Sequence, residues 1–150
     1  MISIRNIERE DLDQLFALDQ ICFRPGIAYS KKDLSYFIRH PRSLSFAAVD
    51  DVHGIAGFAI VELARNNVGH IVTIDVAPER RREGIGRLLM QAMIDGLAAW
   101  NVSTIRLEVA VDNLEAQSFY LRHGFVQTGR IPGFYLGSLD ALTMQKSLDS

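Results

Sequence analysis

A strand, a glycine turn and a helix follow one another between residues 70 and 100, and the turn restricts both the fold and the ligand. His70-Ile71-Val72-Thr73-Ile74-Asp75-Val76 is rich in β-branched residues and predicts a strand, while Arg87 to Trp100 is amphipathic and predicts a helix. Between them stands Arg80-Arg81-Arg82-Glu83-Gly84-Ile85-Gly86. A helix that starts at such a turn leaves several backbone N–H groups without intrahelical partners, and the helix dipole makes them an anion site. The glycines let a phosphate approach without a Cβ in its way, and the three arginines add charge. A phosphorylated ligand is therefore expected. Two common phosphate loops do not fit. A P-loop needs Gly-x-x-x-x-Gly-Lys-Ser/Thr, which the chain lacks, and a dinucleotide turn needs a third glycine near position 89, where Leu89 stands.

Read from its start, the chain predicts a strand at 3–7 and a helix over about 9–23, broken by Arg24-Pro25-Gly26. Ser30 with Asp33 caps a short helix toward Arg39, which Pro41 ends. Strands near 43–50, 55–63 and 69–76 form an antiparallel meander. After the glycine loop and a helix at 84–100 come a strand at 104–111 and a helix to Arg122 that Gly124 terminates. Two last strands, about 125–131 and 139–147, flank a Pro132-Gly133 loop. The fold class is α/β with a mixed sheet: a meander, then strand–glycine loop–helix, then strand–helix–strand–strand. At 150 residues one domain over 1–150 is expected.

A net charge of −2, from 16 basic and 18 acidic residues, speaks against a nucleic-acid or membrane-surface partner. The single cysteine, Cys22, excludes an internal disulfide. With no signal-peptide pattern at Met1-Ile2-Ser3-Ile4-Arg5, a cytoplasmic location is expected, and no metal site is anticipated.

Two blocks of residues carry a family resemblance. Arg81-Arg82-Glu83-Gly84-Ile85-Gly86 fits the pattern Gln/Arg-x-x-Gly-x-Gly/Ala. Asn113-Leu114-Glu115-Ala116-Gln117-Ser118-Phe119-Tyr120, with Gly124-Phe125 behind it, fits a second one, and a strand precedes each. In this order and spacing the chain resembles the GNAT superfamily of N-acetyltransferases. Within it, the chain is most similar to the bacterial ribosomal-protein alanine N-acetyltransferases and related N-terminal acetyltransferases. The resemblance implies acetyl-CoA as cosubstrate, its pantetheine arm along Ile74, Asp75 and Val76 and its pyrophosphate within Arg82 to Arg87, with Arg81 beside it. It implies that Asn113 hydrogen-bonds the arm and that the N–H of Val76, freed by a strand bulge, receives the oxyanion. By the same resemblance Glu108 is the general base and Tyr120 the general acid. His70 and His123 are read as structural. Tyr29, Phe134 and Tyr135 would line the acceptor pocket, although Ala28-Tyr29-Ser30 stands where these relatives often carry Pro-Trp-Ser.

The chemistry is attack by a neutral amine on a thioester. At pH 7 roughly a tenth of an α-amine is neutral, against about 1 in 2,500 for a lysine. One carboxylate, acting directly or through water, suffices for the first, and the resemblance to N-terminal acetyltransferases implies a protein N-terminal α-amine as acceptor. The alternatives are a small amine (polyamine, amino acid or antibiotic) and a non-catalytic acetyl-CoA-binding module.

Overall fold

The computed structural model describes residues 1–148. Seven strands, β1 (Ile2–Asn6), β2 (Ser43–Asp50), β3 (Gly54–Leu63), β4 (Val68–Val76), β5 (Thr104–Ala110), β6 (Val126–Tyr135) and β7 (Leu139–Ser147), form one sheet. Four helices cover it: α1 (Leu12–Cys22), α2 (Lys31–Arg39), α3 (Ile85–Ala98) and α4 (Leu114–Arg122). The strand order is β1-β2-β3-β4-β5-β7-β6, and every pairing is antiparallel except β4 with β5. This is the mixed α/β class expected from the sequence.

Each face is closed by its own core. Leu89, Met93 and Leu97 of α3 meet Ala48, Ala59, Val61 and Ile71 on one face, where Tyr120 of α4 and Phe125 also pack. On the other face Leu15, Leu18 and Leu34 of α1 and α2 cover Phe58, Ile60 and Ala77. Burying each such aliphatic or aromatic side chain contributes about 1.5–3 kcal/mol. Ser30 caps α2 as its spacing predicts, its Oγ accepting the Asp33 N–H at 3.0 Å.

Two details depart from expectation. Residues 132–134 do not form a loop between strands; β6 runs through them to Tyr135 with a break in register after Ile131. Asp140 accounts for it, accepting the Gly133 N–H at 2.9 Å and the Arg130 Nε–H at 2.7 Å, so the chain rejoins the ladder at Tyr135 opposite Leu139. The bulge expected near Val76 lies instead at Val72, where the register against β3 passes from Thr73 to Ile71.

The junction of β4 and β5 positions the site. The two strands pair only from Val68 to His70 against Thr104 to Arg106. Beyond that, β4 follows β3 and β5 follows β7, so a wedge opens between them.

Candidate active site

The wedge widens into a cavity of about 1150 Å³ that reaches both faces of the sheet. From the α3–α4 side it is lined by Ile74, Val76, Arg81, Arg82, Gly84, Ile85, Gly86, Arg87, Asn113 and Tyr120. From the α1–α2 side Phe23, Arg24, Ile27, Tyr29, Val72, Glu108 and Tyr135 close it. Of the residues singled out from the sequence, Asp75, Glu83 and Phe134 do not line it. Asp75 is buried beneath α1, and Glu83 pairs with Arg80 at 3.0 Å. Phe134 stands outside, edge-on to Tyr135 with 4.9 Å between ring centroids.

The backbone of β4 presents unpaired groups to the wedge. The Ala77 N–H bonds the Ala56 carbonyl at 2.8 Å, and bonded and non-bonded pairs alternate along an antiparallel ladder. Ile74 and Val76, opposite Ala59 and Gly57, therefore turn their N–H and C=O groups away from β3. Ladder parity thus frees the Val76 N–H without a bulge at that residue. Its carbonyl is taken by the Arg81 Nε–H at 3.2 Å and the Cys22 thiol at 3.5 Å.

At the head of α3, Gly84 adopts φ +84° and no side chain caps the helix, which leaves the first-turn N–H groups facing the cavity. The two glycines have different reasons. Gly84 needs the left-handed backbone, whereas a Cβ on Gly86 would stand 2.9 Å from the Phe119 ring, so Gly86 lets α3 and α4 approach. The arginines also divide. Arg80 turns to Asp50 and Glu83, and Arg81 braces the end of β4 while lying 3.7 Å from Glu115. Arg82, at φ +69°, and Arg87 line the cavity. Asn113 caps α4, its Oδ1 accepting the Ala116 N–H at 3.1 Å, and its amide remains to donate.

On the opposite side three residues from three strands form a chain that the sequence reading missed. His70 Nε2 lies 2.7 Å from Glu108 Oε1, and its Nδ1 lies 3.1 Å from Glu62 Oε1. An imidazole between two carboxylates is best satisfied when both nitrogens carry protons. Burial opposes that charge, but the bonds to Glu108 and Glu62 outweigh it, and the His70 pKa is raised. Burial also opposes the Glu108 charge, yet His70 and then Arg106, 3.3 Å away, hold its pKa below the usual glutamate value. The signal was the register: Glu62 stands directly opposite His70 across the β3–β4 ladder. No pattern local to either residue announces it.

Tyr29 and Tyr135 flank this carboxylate. The Tyr29 hydroxyl donates to the Val72 carbonyl at 3.1 Å. Burial, with Glu108 nearby, pushes the Tyr135 phenol up to about 12. Tyr120, 7% exposed, also has its pKa raised by burial, so it remains a phenol across the working range. The His123 Nδ1–H donates to the Phe119 carbonyl at 2.9 Å, and its ring lies against that of Phe119. Among the described residues no group of three His, Cys, Asp or Glu side chains could hold a metal ion, and no helix is long and apolar enough to cross a membrane.

Known proteins resemble the chain along most of its length. The family model of the acetyltransferase (GNAT) family matches residues 10–125. An N-alpha-acetyltransferase of Saccharolobus solfataricus is 26% identical over 97% of this chain and 93% of its own length. N-alpha-acetyltransferase 30 of Schizosaccharomyces pombe is 33% identical over 75% of this chain and 77% of its own. Among solved structures, the ribosomal-protein alanine N-acetyltransferase of Escherichia coli superposes with a TM-score of 0.88 at 27% identity, covering 100% of this chain and 96% of that one.

Proposed function

Since the chain belongs to the acetyltransferase (GNAT) family and is thereby an N-acetyltransferase, we propose that it carries the acetyl group of acetyl-CoA to the free α-amine of a protein N-terminus. The observation that carries this reading is the Glu108 carboxylate, held as a weak base beside Tyr29 and Tyr135. A base whose pKa is lowered gains little from a lysine, of which about 1 in 2,500 is neutral at pH 7, but it can serve an α-amine, of which roughly a tenth is. The names of the similar proteins point the same way. A polyamine would call for several acidic groups beside Glu108, where Tyr29 and Tyr135 stand instead; Asp112 and Glu115, which also line the cavity, lie against Arg24 and Arg81.

The cavity suits acetyl-CoA, because unpaired β4 backbone and the uncapped head of α3 lie along one continuous groove. When bound there, acetyl-CoA supplies the activated thioester. Ile74 and Val76 would align the arm through their backbone, the first turn of α3 with Arg82 and Arg87 would hold the pyrophosphate, and the Asn113 amide would donate to the arm. Glu108 takes the amine proton directly or through a water, while His70 holds Oε1 and Arg106 lies 3.3 Å from Oε2. The Val76 N–H donates to the oxygen that gains charge, and the Tyr120 phenol hydrogen-bonds the departing thiolate.

The test is thiol release from acetyl-CoA with three acceptor sets: peptides with free Ala, Ser or Met N-termini, the same peptides blocked but carrying an internal lysine, and common small amines. Turnover confined to free N-termini is expected. Turnover confined to small amines overturns the acceptor and leaves the enzyme class standing.

A further inference from the structure

Beneath the cleft, between α1 and β4, two carboxyl groups are buried together. Asp19 is 0% exposed and Asp75 1% exposed, and they lie within hydrogen-bonding reach of each other. Each uses one oxygen elsewhere. Asp19 Oδ2 accepts the backbone N–H of Tyr29 at 2.6 Å, and Asp75 Oδ1 accepts the Thr73 hydroxyl at 2.5 Å. The other two oxygens, Asp19 Oδ1 and Asp75 Oδ2, have no further partner. Two buried anions side by side with unpaired oxygens cost far more than one anion and one acid sharing a proton. Asp75 is the acid. Burial and then the Asp19 charge raise its pKa well above the usual range, whereas the bond from the Tyr29 N–H favours the charged form of Asp19.

We propose that Asp19 is a positioning residue for the acceptor: backed by the proton that Asp75 holds, it fixes the Tyr29 wall of the cleft against β4. The inference rests on the acceptor entering beside Tyr29, as proposed above. A chain of bonds runs from the Thr73 hydroxyl through Asp75 and Asp19 to the Tyr29 N–H, and the Tyr29 hydroxyl returns to β4 at the Val72 carbonyl. Gln20 holds the Tyr29 carbonyl at 3.0 Å from the exposed side. The tyrosine is thus tied to the strand at its backbone and at its ring tip. An apolar pair in place of the two acids would bury more cheaply but would let the loop slide. The tie also joins the two halves of the site, since Asp75 lies between Ile74 and Val76, whose backbone faces the groove for acetyl-CoA.

The test uses the full chain with Asp19→Ala and Asp75→Asn. Three quantities are read: hydrogen exchange at the Tyr29 amide, which needs no acceptor, kinetics with whichever acceptor the wild type turns over, and acetyl-CoA affinity. In Asp19→Ala the Tyr29 amide should exchange at least about tenfold faster and the acceptor KM should rise about tenfold, with acetyl-CoA affinity unchanged. Asp75→Asn should behave like the wild type, because its amide still donates to Asp19 and its carbonyl still accepts from Thr73. If Asp19→Ala does not fold, Asp19→Leu keeps the volume but offers no acceptor to the Tyr29 N–H, and it should shift the same quantities in the same direction. Unchanged Tyr29 exchange, an unchanged acceptor KM, or Asp75→Asn as impaired as the Asp19 variant overturns the proposal. A wild type that acetylates only small amines overturns the α-amine reading, and the Tyr29 exchange result still stands.

Discussion

The Glu108 carboxylate is held at both oxygens. His70 fixes Oε1 at 2.7 Å, Glu62 fixes His70 in turn, and Arg106 lies 3.3 Å from Oε2, so the group is held in one orientation at the cleft. Replacing Glu108 by Gln keeps shape and removes basicity, so kcat should fall by about 10²–10⁴ while acetyl-CoA affinity, measured by calorimetry, stays the same. Unchanged kcat with every acceptor would remove Glu108 from the mechanism. The same pair has a signature in stability. His70 is raised, so its contribution is complete below the ordinary histidine value of about 6.5 and is lost as pH rises through its higher native value. Glu108 is lowered, so its contribution is present above the ordinary glutamate value and is lost as pH falls through its native one. The melting-temperature difference between the wild type and His70→Gln should therefore be largest between those limits and shrink as the solution becomes alkaline. A constant difference would mean that His70 is not charged in the folded protein.

At the scale of elements, the turn into α3 serves two purposes that separate glycines can report. Gly84→Ala forces a side chain into φ +84°, with open space around the new Cβ, at a cost of about 1–2 kcal/mol. Gly86→Ala instead drives a methyl into the Phe119 ring, and overpacking of this kind costs about 1–3 kcal/mol. Thermal unfolding should show both losses. Acetyl-CoA affinity should fall in Gly86→Ala as well, because moving α4 displaces Asn113 and Tyr120. If Gly86→Ala binds and melts as the wild type does, the α3–α4 contact is not what Gly86 provides. The strand–turn–helix itself was legible, since the β-branched run, the glycines and the amphipathic stretch are local signals. The assignment of the arginines was not. Three consecutive residues differ only in where the chain turns, and Arg80 spends its charge on Asp50 and Glu83 rather than on a ligand.

For the whole molecule, the wedge between β4 and β5 is the central feature. A ligand that fills it bridges two strands that otherwise share only three paired positions. At a hundred times its Kd, acetyl-CoA should add about 2.7 kcal/mol, which raises the melting temperature by roughly 5–10 °C for a chain of this size. No shift at saturating acetyl-CoA would overturn the groove assignment. The sequence by itself determined the order of strands and helices, the loop that leaves N–H groups at the head of α3, and the place of Glu108 on a strand and of Tyr120 on the helix that follows it. Each is a matter of local periodicity, capping or turn chemistry, which a few neighbouring residues decide. Only the tertiary structure decided that β7 enters between β5 and β6, that His70 joins Glu62 to Glu108, and that Asp75 turns under α1 to meet Asp19. Those outcomes depend on sheet register and on which face a bulge at Val72 leaves each side chain, and a shift of one residue reverses them.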